Sequence, residues 1–327
     1  MRRLAFFIPF QGCTRRCVYC DQAAITGSGV PRPGDVALCV AQYSQGNLPI
    51  ELCFFGGSFA RLDPSLMESY LLAIRGAPDG SAVTFSSYPG DFEGARGAAL
   101  AKFLGKYPIG TIELGVPSLD PKVLAACGRD DDADGVKKII VNLARAGFHL
   151  GVQTMIGLPE QSLQSARCDM EALAALIGAS GARDVWDLRI YPCLILRGTA
   201  LEGMYRRGEY SPLRVEDAVR QAGQLLVSAE RAGFRAIRVG LLDSDSLRKA
   251  VIAGPYHPSF GELALSEKLA LQLAEKPDGP WEVDERHVSH LTGHGRRGLR
   301  RLSELTGMSE ENVRERLIGL KHRSSKY

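Results

Sequence analysis

Three cysteines lie within eight consecutive residues near the start of the chain. Cys13, Cys17 and Cys20 are separated by three and then by two residues in the segment GCTRRCVYC. A structural zinc site usually takes four ligands, and no second Cys-x-x-Cys pair or nearby histidine is present. A redox pair would use Cys17 and Cys20 alone and leave Cys13 unexplained. Three thiolates on a cubane iron–sulfur cluster account for all three cysteines and leave one iron open. We therefore favour the cluster over zinc or a redox pair.

The cysteines directly follow the first of six apolar segments that we predict to be strands. These segments are residues 4–10, 50–56, 82–87, 110–116, 150–157 and 185–191. Helical patterns lie between them, and two begin with Leu-Asp-Pro, in which aspartate is the N-cap and proline takes the first helical position. Alternation of apolar strands with helices predicts a parallel sheet covered by helices. We expect an α/β fold, a partial (β/α)6 barrel, with its active site on the loops that follow the strands.

The pattern changes after about residue 240. A glycine- and proline-rich segment that contains His257 precedes a helix, a linker (EKPDGP) and a basic tail. We predict a barrel over residues 1–240 and a C-terminal extension over 241–327, of mixed structure and ending in basic helices. The tail over 299–323, with Ser309 as an N-cap, also resembles a helix-turn-helix. An iron–sulfur regulator that binds DNA is therefore an alternative function, although acidic residues interrupt the tail.

Composition narrows the class of protein. The chain has 327 residues, of which 45% are hydrophobic, and a formal net charge of +3, which is too small to identify a partner. The N-terminal apolar stretch is too short and too interrupted for a signal peptide, and no apolar run approaches the length of a membrane span. We expect a cytoplasmic protein without a membrane segment, whose thiols are reduced. The other five cysteines lack close spacing, and we expect them to be small buried hydrophobic residues.

The cysteine spacing, with Tyr19 just before the last cysteine, resembles the radical S-adenosylmethionine (radical SAM) superfamily. The resemblance implies a 4Fe–4S cluster on Cys13, Cys17 and Cys20, whose fourth iron is chelated by S-adenosylmethionine. It also implies an electron donor of the flavodoxin or ferredoxin type. Reductive cleavage would give methionine and a 5′-deoxyadenosyl radical that removes a hydrogen atom from the substrate.

Several strand-end motifs resemble cosubstrate-binding elements of that superfamily. The segment FFGGSF matches the Gly-Gly element that binds the methionine amino group, although Ser58 replaces the usual acidic residue. The segments MIGLP and RIYP match elements on the adenine side, and the remaining positions follow from the same register. The resemblance implies a cosubstrate site built from Tyr19, Gly56, Gly57, Ser58, Glu113, Arg129, Gln153, Ile156 and Tyr191.

In combination, ELGVPSLD, CGRD, RIYPCLILRGTALEGMYRRGEY and GPYHPSFGEL resemble the radical domain of the Elongator catalytic subunit, without its acetyltransferase domain. This implies tRNA as a candidate substrate; a small metabolite, a tetrapyrrole or a peptide is the alternative. The motifs depart from that branch at Pro117, at Cys193 and in the third strand, where a ribose-binding carboxylate is missing or is supplied by Asp91. Two groups of arginines are candidates for a basic rim that binds phosphates. They are residues 2, 3, 15 and 16, and residues 296, 297, 300 and 301.

Overall fold

A computed structural model describes residues 1–27, 29–181 and 185–320 of the chain. Its strands include all six that the sequence predicts, with boundaries that differ by at most three residues. The strands are β1 (Arg2–Phe7), β2 (Ile50–Phe55), β3 (Ala82–Ser87), β4 (Ile109–Gly115), β5 (Leu150–Ile156), β6 (Trp186–Pro192), β7 (Ile195–Leu196), β8 (Phe234–Val239), β9 (Val251–Ala253), β10 (Trp281–Asp284) and β11 (Leu317–Leu320).

Seven of these strands form one parallel sheet in the order β1-β2-β3-β4-β5-β6-β8. β1 and β8 are the two edges, so the sheet is a half-barrel that does not close, as expected for a partial barrel. The seventh strand, β8, was not predicted. Its sequence, FRAIRV, alternates apolar residues with exposed arginines, because it is an edge strand and lacks the continuous apolar run of the inner strands.

Helices alternate with most of the strands along the chain. They are α1 (Gln22–Thr26), α2 (Pro33–Ser44), α3 (Pro64–Leu72), α4 (Gly94–Leu104), α5 (Pro121–Ala126), α6 (Ala133–Arg145), α7 (Leu163–Ser180), α8 (Ala200–Arg206), α9 (Val215–Arg231), α10 (Asp245–Ala250), α11 (Phe260–Ala274), α12 (Val288–Thr306) and α13 (Glu310–Glu315). The two predicted N-caps are confirmed: Asp63 accepts hydrogen bonds from the first turn of α3, and Asp120 accepts one from that of α5. Among the described residues, no helix is long and apolar enough to cross a membrane.

Alternation along the strands separates an apolar outer face from a polar inner face. Leu114, Val152 and Leu188 belong to the main core beneath the helices. Their sequence neighbours Glu113, Gln153 and Arg189 therefore point to the concave side of the half-barrel, which we call the lumen. Because the strands are parallel, all their carboxyl ends meet at one edge of the sheet, and the loops that carry the predicted site residues gather there.

The C-terminal region, residues 241–320, packs onto the half-barrel through α11, which contacts both α9 and α12. Ser309 is the N-cap of α13, as predicted, with its hydroxyl oxygen accepting from the Asn312 amide. The tail does not stay helical, however: α13 ends at Glu315, and β11 then pairs with β10. Residues 321–323 of the predicted helix pair lie outside the described residues. The division of the chain at residue 240 stays a prediction.

Candidate active site

The three cysteines lie on the loop that leaves β1, residues 8–20, which we call the cysteine loop. This loop packs directly on the turn at Gly56, Gly57 and Ser58, which follows β2 and which we call the glycine turn. The Ser58 amide donates a hydrogen bond to the Gln11 carbonyl at 2.7 Å. A Cβ atom at Gly57 would lie 2.2 Å from the Gln11 carbonyl oxygen, so only glycine permits this approach. The predicted cluster ligands and the predicted Gly-Gly element thus form one continuous structure.

The sulfur atoms of the cysteine loop have nitrogen donors beside them. Gln22 Nε2 lies 3.8 Å from Cys13 Sγ, and Arg129 Nη1 lies 3.8 Å from Cys17 Sγ. Burial, and then the nearby Cys17, raises the pKa of Cys20 to about 12, so binding of a metal at these thiols would release protons. Nitrogen donors aimed at sulfur stabilise thiolates, and hydrogen bonds to the sulfur atoms help to set the reduction potential of a thiolate-bound cluster.

The donor set of the cysteine loop fits a cluster better than a single metal ion. Among the described residues, no three His, Cys, Asp or Glu side chains lie close enough together to hold one ion. In a cubane each protein thiolate binds a different iron, so the three sulfurs do not have to converge on one point. Three thiols on one loop, two of them with nitrogen donors, are therefore compatible with the cluster that the spacing predicts.

Arg129 connects the cysteine loop to the sheet. It follows α5, and its guanidinium donates to Asp131 at 2.6 Å and to the Gly115 carbonyl at 3.2 Å. The Tyr88 ring lies 5.0 Å from its central carbon. Burial alone would lower the pKa of Arg129, but its negative neighbours outweigh burial and raise it. The side chain is therefore a fixed positive charge next to Cys17.

Gln153 lies in the centre of the lumen. On β5 it is in register with Gly115 of β4 on one side and with Arg189 of β6 on the other. Its amide nitrogen makes only a long contact, 3.4 Å, to the Thr154 carbonyl. The side-chain amide thus remains available to a ligand at the place where the sequence predicts the cosubstrate.

Glu113 does not have a free carboxylate. Arg189 Nε and Nη2 each donate to it at 2.7 Å, and both residues are almost fully buried. The pair spans β5 above Gly151, where a Cβ atom would lie 3.0 Å from Glu113 Cγ. The contact of Glu113 with the cosubstrate stays a prediction; in the structure its carboxylate has a bidentate protein partner inside the lumen.

Three residues predicted to bind the cosubstrate, Tyr19, Tyr191 and Ile156, fall into two groups. Tyr19 packs on an apolar cluster at the carboxyl edge of the sheet that includes Cys127, Met155 and Cys193, and Tyr191 packs on the same cluster. Ile156 does not join them, because its side chain is fully buried in the main core on the opposite face of β5. Only its backbone reaches this edge, where its carbonyl accepts from the Cys193 amide at 2.8 Å.

The carboxylate of Asp91 lies beside the glycine turn. The Ser58 hydroxyl donates to Asp91 and accepts from the Tyr88 amide at 2.8 Å. Arg61 Nη1 lies 4.0 Å from the same carboxyl group. Ser58 stands where the resembling family has an acidic residue, and here the acid comes from the loop after β3 instead. Asp91 is only 3% exposed, and this burial raises its pKa to about 6.

The raised pKa of Asp91 predicts a specific dependence of stability on pH. Between about pH 4 and pH 6 the folded chain keeps a proton that the unfolded chain has lost, so the free energy of unfolding should fall as the pH rises. The loss should reach up to about 3 kcal/mol at pH 6. In Asp91→Asn this fall should disappear, whereas Asp79→Asn, in an exposed turn, should keep it. Urea unfolding across this range measures the effect, and equal slopes in the wild type and Asp91→Asn would contradict it.

Several residues of the site were not predicted from the sequence. Gln22 donates to Cys13 and also accepts from the Phe10 amide, and its position two residues after Cys20 was the available signal. Asp131, on the same loop as Arg129, and Tyr88, on the loop after β3, hold Arg129 and carry no comparable signal. The remaining cysteines match expectation in part. Cys53, Cys127 and Cys193 are buried, Cys39 is half-buried, and Cys168 is exposed.

One part of the predicted basic rim lies elsewhere. Arg2 and Arg3 begin β1, whereas the cysteine loop follows its end, and a rise of about 3.3 Å per residue places the two arginines about 13–16 Å from that end. Arg3 pairs there with Glu51 at 2.8 Å. Arg15 and Arg16 do lie on the cysteine loop, where Arg15 pairs with Asp130 and Arg16 covers the Phe10 ring.

Two family models together match most of the half-barrel. Residues 7–171, half of the chain, match the family model of the Radical SAM superfamily. Residues 185–270 match that of the Radical_SAM C-terminal domain.

Two archaeal proteins, both called tRNA uridine(34) acetyltransferase, are similar over 152 residues. The protein from Methanocaldococcus infernus is 26% identical and that from Methanocaldococcus jannaschii 25%, each over 46% of this chain. The chain covers only 27% of the length of either relative.

Solved structures show the same fold. Archaeal Methanocaldococcus infernus Elp3 with an N-terminal deletion aligns with a TM-score of 0.59 and 20% identity, over 84% of this chain and 62% of that one. Coproporphyrinogen III oxidase from Escherichia coli aligns with a TM-score of 0.50 and 13% identity, over 72% of this chain and 54% of that one.

Proposed function

This chain is a member of the radical SAM superfamily of enzymes, and from that membership we propose that it cleaves S-adenosylmethionine to begin radical chemistry on tRNA. Its cofactors are a 4Fe–4S cluster and S-adenosylmethionine, as for the superfamily. We assign Cys13, Cys17 and Cys20 as the cluster ligands. The observation that carries this assignment is the packing of the cysteine loop on the glycine turn, which joins the ligand-bearing loop to the predicted cosubstrate contact.

When bound and reduced, the cluster supplies the electron that splits S-adenosylmethionine. The residues of the chain hold and orient what binds there. Backbone groups of the glycine turn accept the methionine amino group, and the buried Ser58–Asp91 pair keeps that turn in place. Arg129 supplies a fixed positive charge for a carboxylate or for the sulfur atoms, and Gln153 offers an unused amide in the lumen. The apolar cluster around Tyr19 excludes water from the carboxyl edge of the sheet.

The cosubstrate part of the proposal predicts a loss of affinity in Gln153→Ala. Removing one polar contact in a partly buried site costs about 1–3 kcal/mol, so we expect S-adenosylmethionine to bind about 10- to 100-fold more weakly. Cluster content should not change, because Gln153 touches no cysteine. Equilibrium dialysis with labelled cosubstrate measures the affinity. Binding equal to that of the wild type would contradict the place we give Gln153.

The substrate part of the proposal rests on the Elongator resemblance and on the two archaeal relatives named for tRNA. Their similarity covers part of each protein, so the substrate is a proposal that requires a direct test. The open half-barrel is compatible with a macromolecule, since no strands close the lumen between β1 and β8 within the described residues. We also propose a flavodoxin or ferredoxin-type reductant and a cytoplasmic location, where the thiols stay reduced.

The test uses anaerobically reconstituted enzyme with S-adenosylmethionine and dithionite. Unmodified tRNA should accelerate formation of 5′-deoxyadenosine, and its affinity should fall steeply with salt, because phosphate contacts release counterions. Nucleosides from the treated tRNA would then be examined by mass spectrometry for the modified base. Unchanged cleavage together with salt-independent binding would replace tRNA with the alternative, a small metabolite, a tetrapyrrole or a peptide.

A further inference from the structure

A cavity of about 310 Å³ lies where the C-terminal region meets the half-barrel. It is lined by Val215, Glu216, His257, Leu263, His294, Arg297 and Arg300. The cavity is at the same edge of the sheet as the cysteine loop. Phe260, at the start of α11, packs against Gly240 directly after β8, and Leu213, just before α9, packs against Gly157 directly after β5. The volume is at the lower end of the range for small-ligand pockets.

The charges that line this cavity are mostly positive and unpaired. Among the described residues, no carboxylate forms an ion pair with Arg297 or Arg300. Their neighbours differ, since Arg296 pairs with Glu310 at 3.7 Å and Arg301 with Glu267 at 2.9 Å. The two arginines that line the cavity are thus the ones left without carboxylate partners.

Two histidines lie beside these arginines in the cavity wall. The rings of His257 and His294 lie edge to face, with their centres 6.1 Å apart. His257 Nδ1 accepts from the Ser259 amide at 3.0 Å, which fixes the ring and leaves Nε2 as a donor. Burial, His294 and Arg297 together lower the pKa of His257, and Glu216 is the one acidic group that acts against them. The cavity therefore holds excess positive charge that an anion would offset.

The backbone beside the cavity is strained. α12 is interrupted where His294, Gly295 and Arg296 take φ values of 47°, 69° and 65° in succession. A left-handed conformation costs about 1–3 kcal/mol for a residue other than glycine, and such strain concentrates at functional sites. The interruption brings His294 and Arg297 to the same cavity. A continuous helix over this segment would not place His294 and Arg296 in the left-handed conformation.

We propose that this cavity binds a phosphate group, held by Arg297, Arg300, His257 and His294. Arginine forms bidentate pairs with phosphate, and the ring N–H groups of the histidines add further donors. In closed βα-barrels, a phosphate site is frequent after the last strands, which is the position of β8 here. The source is either the backbone of the substrate RNA, which rests on the function proposed above, or a phosphorylated small molecule.

The test measures the affinity of the reconstituted enzyme for two ligands, inorganic phosphate and tRNA. The variant is Arg297→Gln/Arg300→Gln, and the control is Arg75→Gln/Arg231→Gln, which removes the same charge after α3 and at the far end of α9. Titration calorimetry with inorganic phosphate should show binding to the wild type and the control, and binding at least about tenfold weaker to the variant. Basal cleavage of S-adenosylmethionine and the unfolding midpoint should match in all three proteins.

The second ligand distinguishes the two sources. If RNA is the source, the slope of log affinity for tRNA against log salt should become shallower by about one in the variant, because one phosphate contact is lost, and stay the same in the control. A weaker phosphate affinity with an unchanged tRNA slope assigns the cavity to a small phosphorylated ligand. Equal phosphate affinity in the wild type and the variant overturns the proposal. Failure of tRNA to stimulate cleavage, with phosphate binding intact, rejects the proposed substrate and leaves the phosphate site.

Discussion

Cys17→Ala should contain no intact 4Fe–4S cluster and should form no detectable 5′-deoxyadenosine. Removing one of three thiolates leaves a second iron without a protein ligand, and it also removes the sulfur that Arg129 faces at 3.8 Å. We expect the same loss in Cys13→Ala and Cys20→Ala. The measurements are iron and sulfide per chain, the Mössbauer spectrum, and 5′-deoxyadenosine formed after reduction with dithionite.

The matched control is Cys168→Ala, which removes an exposed thiol on α7. This variant should keep wild-type iron content and activity, so that a general effect of losing a cysteine is excluded. A single zinc and no iron in the reconstituted wild type would contradict the cluster assignment. So would a Cys17→Ala protein that still cleaves S-adenosylmethionine.

Arg189→Met should be the most destabilising single substitution in the lumen. Glu113 would lose both 2.7 Å hydrogen bonds and would remain as a buried carboxylate without its cationic partner. Breaking a buried ion pair from one side costs about 3–5 kcal/mol, a large part of the stability of a typical domain. Denaturant unfolding at neutral pH measures the loss.

A second variant separates the unpaired charge from the loss of packing. Glu113→Gln/Arg189→Met removes both charges, so we expect it to be markedly more stable than Arg189→Met alone. Arg207→Met is a comparison in which the arginine and its partner Glu209 are both exposed, so that their salt bridge contributes little. Equal stability of the single and the double lumen variants would show that the Glu113 carboxylate is not a buried charge.

Local sequence was enough to predict the elements that have strong local signals. Apolar runs gave six strands of the sheet, and Asp63 and Asp120 gave two helix starts. The cysteine spacing gave the cluster loop, and the glycines at 56 and 57 gave the turn on which it packs. In each case the residues that determine the structural element are adjacent along the chain.

Contacts between distant loops were not predicted, because the sequence of one loop does not show which residues of another loop lie beside it. The Ser58–Asp91 bond joins the loops after β2 and β3, and Glu113 meets Arg189 across an intervening strand at Gly151. Likewise β11 forms through pairing with β10, which overrides the helical pattern of the tail. Charged edge strands such as β8 also lack the apolar run by which inner strands are recognised.

The close packing of the cysteine loop on the glycine turn has a consequence for recombination between relatives. A hybrid gene joined between codons 21 and 49 would take the cysteine loop from one parent and the glycine turn from the other. The two backbones would then have to fit at the Ser58–Gln11 hydrogen bond and at Gly57, where a Cβ atom would lie only 2.2 Å from a carbonyl oxygen. Hybrids joined after residue 62 inherit both turns from a single parent, so libraries built on this chain should place their first junction there.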